Sequence, residues 1–282
     1  MTTTTVRIDA FGQTDIGLRR KTNEDQFVIM KLSKAAELRQ TSVGDQTVFE
    51  ELCGPEGWLF VVADGVGGHR GGELASQMAI TALVQYISRA VSCFSGVDID
   101  GEHEFLEQLE GAVHDAHRRI FEELGDSGAG GQGPATTLTM VMLVWPRAYV
   151  VHVGDSRAFY LRKGRLNQLT QDQTTGEFLM ARGIWTEEQA SKMPIAGALA
   201  SALGAPEMKP SVGLVDLQPG DTVLLCTDGL TRFVPDERIS EMLDSARDAE
   251  SACRELVEAA LAGGGGDNVT VVAARMVGGS SQ

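Results

Sequence analysis

Four aspartates sit where apolar or glycine-rich runs give out, and each has glycine beside it. Trp58–Ala63 is a nearly continuous apolar run that leads into Asp64 and Gly65-Val66-Gly67-Gly68. Asp221–Thr227 leads into Asp228 and Gly229, and Tyr149–Gly154 leads into Asp155 and Ser156. Gly263–Gly266 leads into Asp267 and Asn268, ahead of a strand pattern from Val269. Apolar runs of this kind suit buried strands, so the chain has to build sheets that bury them. A carboxylate at the end of such a strand is rigidly held, and the adjacent glycine lets other backbone approach closely. Hard divalent ions such as Mg²⁺ and Mn²⁺ take oxygen ligands of this sort. A single Asp-Gly at a strand end reads as a turn. Four built alike, none in a short hairpin, leave a set of turns and a metal cluster both open.

The rest of the pattern sets the fold class. Arg7–Gln13, Gln26–Lys31 and Trp58–Ala63 read as strands. Two long helical patterns follow. Glu73–Arg89 has apolar residues at Leu74, Met78, Ala79, Ala82 and Tyr86, and Glu104–Leu124 has Phe105, Leu109, Val113, Ala116 and Ile120. Strand signals return at Thr137–Trp145, Tyr149–Val153, Ala158–Leu161 and Leu166–Leu169, the last two flanking the hairpin tip Arg162-Lys163-Gly164-Arg165. Gln171–Gly204 is irregular, with short helical segments around Phe178–Ala181 and Glu187–Ala190. Strands at Val212–Val215 and Asp221–Cys226, helices at Asp236–Ser245 and Glu250–Ala262, and a strand at Val269–Met276 complete the order. Strands and helices come in blocks rather than in βαβ alternation, which predicts an α+β fold with helices packed outside two sheets. Without an internal repeat or a linker between two cores, residues 1–282 read as one domain with its core over about 6–277.

Composition excludes some roles. With 39 acidic against 24 basic residues the formal charge is −15, which repels nucleic-acid phosphates and anionic lipid. Hydrophobic residues at 43% support a packed core rather than disorder. Cys53, Cys93, Cys226 and Cys253 form no C-x-x-C pair, and the N-terminus lacks an apolar leader. No apolar run approaches the roughly 18 residues that span a bilayer. The expectation is a soluble, cytoplasmic protein with reduced thiols, Cys226 being a small core residue.

One further segment adds chemistry. Arg20-Lys21-Thr22-Asn23-Glu24-Asp25 places an arginine and two acids just before a strand: either a solvated turn or a guanidinium that grips phosphate beside metal-binding acids. In chain order, Gly17-Leu18-Arg19-Arg20-Lys21-Thr22-Asn23-Glu24-Asp25, Asp64-Gly65-Val66-Gly67-Gly68-His69, Gly154-Asp155-Ser156-Arg157, Thr227-Asp228-Gly229-Leu230 and Gly266-Asp267-Asn268-Val269-Thr270 resemble the successive motifs of the metal-dependent PPM (PP2C-type) protein Ser/Thr phosphatases, compact bacterial members in particular. The resemblance covers the chain from about Arg7 to Met276. It implies a four-layer α-β-β-α sandwich of two antiparallel β-sheets flanked by helix pairs, with a site for two Mn²⁺ or Mg²⁺ ions and a weaker third. By motif position, Asp64 would bridge two ions and the Gly65 carbonyl would bind one of them. Asp228 and Asp267 would hold the other, Glu24 and Asp25 would act directly or through water, and Asp155 would serve the third ion. Arg20 would bind the substrate phosphate. The implied reaction is attack by an ion-bridging hydroxide on phosphoserine or phosphothreonine of a protein, so that no protein nucleophile is needed. A cognate Ser/Thr kinase is the implied partner.

The chain departs from the family pattern in several places. Val66 stands where some members carry a histidine thought to protonate the leaving group, and His69 reads as a loop residue ahead of a catalytic one. In Gly133-Pro134-Ala135-Thr136-Thr137, Ala135 interrupts a Gly-Thr-Thr turn and is expected to shift the loop slightly. The variable flap corresponds to about 172–195, and Gln171-Asp172-Gln173 lacks the histidines often found there. Gly128–Gly133 matches G-x-G-x-x-G literally but follows a helix and precedes Pro134, the reverse of a dinucleotide-binding context, so it reads as a loop. His114 and His117 read as a solvated helix face rather than a soft-metal pair. The competing functions are a phosphoprotein-binding pseudophosphatase without turnover and a structural cation-binding domain. The first would be expected to lack a core ligand, and the second has no need of Arg20.

Overall fold

Side chains alternate along the central strands, and that alternation divides the interior into three apolar layers. In the computed structural model, which describes residues 6–33, 57–67, 70–90, 102–124 and 133–278, the central strand β3 (Gly57–Val66) turns Leu59, Val61 and Ala63 toward helices. Its intervening Phe60 and Val62 face the opposite sheet. The same period of two recurs in β5 (Leu138–Val144) and β6 (Arg147–Val153), where Met140, Met142, Tyr149 and Val151 join the helix layer and Val141, Leu143, Ala148 and Val150 the central one. Strands buried on both faces have no polar side, which is why Trp58–Ala63 and Val223–Cys226 are continuously apolar.

The first sheet runs β2 (Asp25–Leu32), β3, β5, β6, β9 (Ser211–Asp216), with the short β4 (Ala135–Thr136) paired to the end of β3. The second runs β1 (Val6–Asp15), β11 (Val269–Gly278), β10 (Thr222–Cys226), β7 (Arg157–Arg162), β8 (Arg165–Gln168). All the pairings are antiparallel, and the first and last strands of the chain lie side by side from Val6↔Gly278 to Asp15↔Val269. Helices α1 (Arg70–Ala90) and α2 (Glu102–Leu124) cover the first sheet. The short segment contains α3 (Thr175–Ala181), α4 (Glu187–Lys192) and a 3₁₀ turn at Pro194–Gly197. After a single turn of helix, α5 (Asp228–Thr231), helices α6 (Asp236–Ser245) and α7 (Ala249–Ala262) cover the second sheet. The layers are therefore helix, sheet, sheet, helix, as the resemblance implies. Among the described residues no helix is long and apolar enough to cross a membrane.

Three local expectations change. In α1 the buried stripe is Ala75, Ala79, Ala82, Leu83 and Ile87, while Leu74 is 43% exposed. Small residues face the sheet and let the helix sit close to β3, so side-chain size misleads about which face is inside. Strand β3 continues through Asp64 to Val66, because β4 offers Ala135 and Thr136 as partners to Val66 and Gly65. His117 is not a solvated residue: its Nδ1 accepts the Gly204 N–H at 3.1 Å and its ring stacks on Phe121. The hairpin tip is as read, with Lys163 and Gly164 both at positive φ (52° and 71°) between paired Arg162 and Arg165. Cys226 is fully buried, and burial pushes its thiol up to about 12. His69, Cys53, Cys93 and all of Gly128–Gly133 except Gly133 lie outside the described residues.

The stripe of α1 is directly testable. Leu83→Ala should cost about 2–5 kcal/mol by leaving a cavity in the helix layer. Leu74→Ala on the outer face should change stability by less than about 0.5 kcal/mol. Urea unfolding of the two variants checks this, and equal losses would mean that α1 is rotated from the described face.

Candidate metal centre

The site grows from the ends of strands in both sheets. In the first sheet Asp25 opens β2 directly across from Asp64 in β3. In the second, Thr227 follows β10, and its N–H reaches the Thr270 carbonyl at 3.0 Å, which brings the β10–α5 turn beside the start of β11. Two hydroxyls then join the sheets: Thr227 Oγ1 and Thr270 Oγ1 each donate to Asp25 Oδ2 at 2.8 Å. Thr227 Oγ1 in turn accepts from the Thr270 N–H at 3.0 Å, so its single proton is left for Asp25. One oxygen of Asp25 is satisfied in this way. The other, Oδ1, is buried with no hydrogen-bond partner among the described residues, and so is Asp228 Oδ1.

Backbone around the other acids is equally constrained. The Asp64 N–H donates to Thr137 Oγ1 at 2.9 Å, and the Asp64 carbonyl accepts from the Thr137 N–H and from Thr136 Oγ1, both at 2.9 Å. Gly65 follows, and a Cβ there would lie 2.2 Å from the Gly72 carbonyl oxygen, so only glycine lets α1 start this close to β3. The Glu24 carbonyl accepts from the Gly65 N–H at 3.1 Å and from Ser76 Oγ at 2.7 Å. Gly229 has the same function across the site, since a Cβ would sit 1.9 Å from the Asn268 carbonyl oxygen. Asn268 itself holds the loop that carries Arg20: its Oδ1 accepts the Glu24 N–H at 2.9 Å, and its Nδ2 donates to the carbonyls of Ile16 and Thr22 at 2.9 and 3.0 Å. Behind Asp155, Gly154 and Gln173 are tied by a backbone bond of 2.7 Å. His152 Nε2 must carry the proton that reaches the Gln171 carbonyl at 3.1 Å, since a carbonyl only accepts, and this anchors the start of the flap.

A cleft of about 770 Å³ collects these groups. Arg20, Glu24, Asp64, Gly65, Asp155, Asp228 and Asp267 all line it, and Asp25 lies beneath, paired with Asp64. Gly197–Ala202, just past the expected flap at 172–195, supplies one wall. Among the lining residues that had no role in the sequence reading of the site, two bond directly to the groups named there. Asn268 is one, present in the motif Gly266–Thr270 but given no role there. The other is Arg232, one helical turn beyond Asp228, a spacing that puts both on the same face. Arg232 reaches Asp228 Oδ2 at 2.5 Å and Asp267 Oδ2 at 3.1 Å. Arg20 grips Asp267 with two bonds, Nε to Oδ1 at 2.7 Å and Nη2 to Oδ2 at 2.8 Å.

Gathering carboxylates out of water carries an electrostatic cost that appears in their acidities. Burial, then the charges of Asp25, Asp228, Asp155 and Asp267, lifts Asp64 well above the usual carboxylate range. Burial pushes Asp25 up to about 7 against the opposing hydroxyl bonds, and Asp155 up to about 7 with Asp228 adding to the effect. Asp228 is raised by burial while Arg232 pulls the other way. Each group would prefer a proton or a cation. No three His, Cys, Asp or Glu side chains among the described residues converge as a ready-made cage. The donor set, all oxygen with two orphaned buried atoms, fits a hard ion that keeps several of its waters.

Comparison with known proteins agrees with this arrangement. The family model described as "Protein phosphatase 2C" matches residues 45–263. The serine/threonine protein phosphatase PstP of Mycobacterium tuberculosis is 39% identical over 219 residues, covering 78% of this chain, which spans only 40% of that protein's length. A putative 2C-type phosphatase of Streptococcus pyogenes is 30% identical over 244 residues, 86% of this chain and 96% of that one. The crystal structure of the PstP catalytic domain in complex with two manganese ions aligns over 97% of this chain and all of that one, with a TM-score of 0.70 and 32% identity. The chain belongs to the protein phosphatase 2C family.

Proposed function

We propose that this chain is a Mn²⁺- or Mg²⁺-dependent protein serine/threonine phosphatase whose core, about residues 6–277, works as one domain. The observation that carries the reading is that Asp64, Asp155, Asp228 and Asp267 line one cleft beside Arg20, with Asp25 paired to Asp64 beneath and buried oxygens left unsatisfied. Family membership and the manganese-bound PstP domain support it. In this reading Asp64, the Gly65 carbonyl, Asp228 and Asp267 would hold two ions. Glu24 and Asp25 would contribute directly or through water, and Asp155 would serve a weaker third ion. Two divalent ions would supply an activated water and offset charge on the phosphoryl oxygens.

The chain's own residues do the positioning. Thr136 and Thr137 fix the Asp64 backbone, so its carboxylate cannot drift when charge changes in the cleft. Thr227 and Thr270 hold one oxygen of Asp25 and leave the other buried without a hydrogen-bond partner among the described residues. Arg20, exposed enough to turn, offers a planar fork that matches two phosphate oxygens. Ser/Thr-phosphorylated proteins are the substrate class, a cognate Ser/Thr kinase is the natural opposing partner, and the location is cytoplasmic. A pseudophosphatase that binds phosphoprotein without turnover is not favoured, because Asp64, Asp228, Asp267 and Arg20 are all present and gathered in one cleft.

The decisive experiment is hydrolysis of p-nitrophenyl phosphate and of a phosphothreonine peptide, with Mn²⁺ and with EDTA. Phosphate release should require the ion, and Asp228→Asn should abolish it without changing the circular dichroism spectrum. Release in EDTA, or near-normal turnover by the variant, would overturn the reading. Arg20→Ala should raise KM more than it lowers kcat, because the guanidinium positions phosphate rather than activating water. An unchanged KM would remove that role.

The acidities give a further test. A carboxyl whose folded-state pKa lies near 7, against 3.8 ordinarily, stabilises the fold below about pH 4 and loses that contribution as pH rises through about 7. Metal-free protein should therefore lose melting temperature across this window, and Asp25→Asn should flatten the fall. A wild-type profile no steeper than that of the variant would show that Asp25 is not held in this environment.

A further inference from the structure

Arg232 touches the same two carboxylates that the proposed metal centre needs. It leaves the end of the single-turn helix α5 and folds back over the cleft, with Nη2 at 2.5 Å from Asp228 Oδ2 and Nη1 at 3.1 Å from Asp267 Oδ2. Arg20 approaches Asp267 from the loop before β2, so Asp267 Oδ2 receives a guanidinium from each side. Asp228 is nearly buried, whereas the Arg232 side chain is half exposed at 50%. A buried acid is thus paired with a half-exposed cation that lines the same cleft. The Arg232 guanidinium reaches both of these acids, while its backbone N–H closes the helix on the Asp228 and Leu230 carbonyls.

We infer that Arg232 is a tethered cation that competes with the divalent ion for Asp228 and Asp267. The inference rests on the reading of these acids as metal ligands. A carboxylate oxygen engaged by a guanidinium at hydrogen-bond distance has lost part of its charge and its open direction to that partner. An ion that takes Asp228 and Asp267 must turn Arg232 out into the cleft or accept a positive charge beside it. Either way Arg232 weakens ion binding and sets the free-ion concentration at which the site fills. Because the guanidinium is half exposed, water screens the pair, and the effect should be moderate: roughly three- to tenfold in the ion's Kd.

Calorimetric titration of metal-free protein with Mn²⁺ at one fixed pH tests this without any activity measurement. Arg232→Ala and the neutral, longer Arg232→Gln should both bind Mn²⁺ roughly three- to tenfold more tightly than wild type. Arg238→Ala removes the same charge from an exposed pair with Glu241 on α6, away from both acids, and should leave the Kd unchanged. Tightening in both Arg232 variants but not in Arg238→Ala supports the inference. Unchanged or weaker binding in the Arg232 variants overturns it, and so does equal tightening in Arg238→Ala, which would make the effect one of net charge. If wild-type protein binds no Mn²⁺, the metal-centre reading itself fails, an outcome distinct from the others.

Discussion

The carboxylate of Asp25 is where the two sheets of this protein are joined at their functional end. One oxygen accepts hydroxyl protons from Thr227 and Thr270, residues of the second sheet, while Asp25 itself opens a strand of the first. Elsewhere the sheets meet through apolar side chains such as Phe60, Val150 and Val272, which are interchangeable in kind and fix no angle by themselves. Directed bonds at one end supply what the apolar layer lacks. They bring Asp64, across from Asp25, into register with Asp228 and Asp267, so the acids are assembled by sheet packing rather than by any local motif. The bond also leaves Asp25 half satisfied, and a buried oxygen with no partner is costly unless something else comes to it.

That cost is the common cause of several features. Burial and mutual repulsion raise the acidities of Asp25, Asp64, Asp155 and Asp228, and two arginines fold over Asp228 and Asp267. Strain of this kind is tolerated because the surrounding backbone is over-determined. Thr136, Thr137, Asn268 and the close-packed Gly65 and Gly229 hold their loops with bonds that do not depend on the charge state of the cleft. A site with its scaffold independent of its charges can exchange one cation for another without rearranging, as the proposed ion-dependent reaction would require.

What was legible in the sequence follows from the range of the interactions involved. Layering was legible because strands buried on both faces must be apolar throughout, and Trp58–Ala63 and Val223–Cys226 announce themselves. Helix α2 was legible down to its buried face, since Phe105, Leu109 and Ile120 are large. The face of α1 was legible only in part: Ala79 and Ala82 are buried as read, but Leu74 faces out, and the pattern passed over Ala75, Leu83 and Ile87. Asp64, Asp228 and Asp267 stood out by their glycine neighbours, yet nothing in the local sequence relates Thr227 or Thr270 to Asp25, more than two hundred residues away. Strand β4 was hidden for the same reason: two residues become a strand only because Gly65 and Val66 are there to pair with. Arg232 was missed for want of a rule that looks one helical turn beyond an acid for the cation that covers it.

The net charge of −15 argues against anionic partners, yet the proposed substrate is an anion. The conflict resolves on distance. Beyond about 8 Å the surface field is screened in physiological salt, so at the point of binding a phosphate feels chiefly the groups within the cleft. Divalent ions held by these acids would reverse the local sign, and Arg20 and Arg232 already line the same cleft. The general surface then repels polyanions such as nucleic acid, which cannot enter the cleft, while a single phosphorylated side chain can reach the cations. On the proposed reading, the acidic surface and an ion-loaded pocket would act in series, as a filter that admits a phosphate on a protein segment and disfavours one within a continuous phosphate backbone.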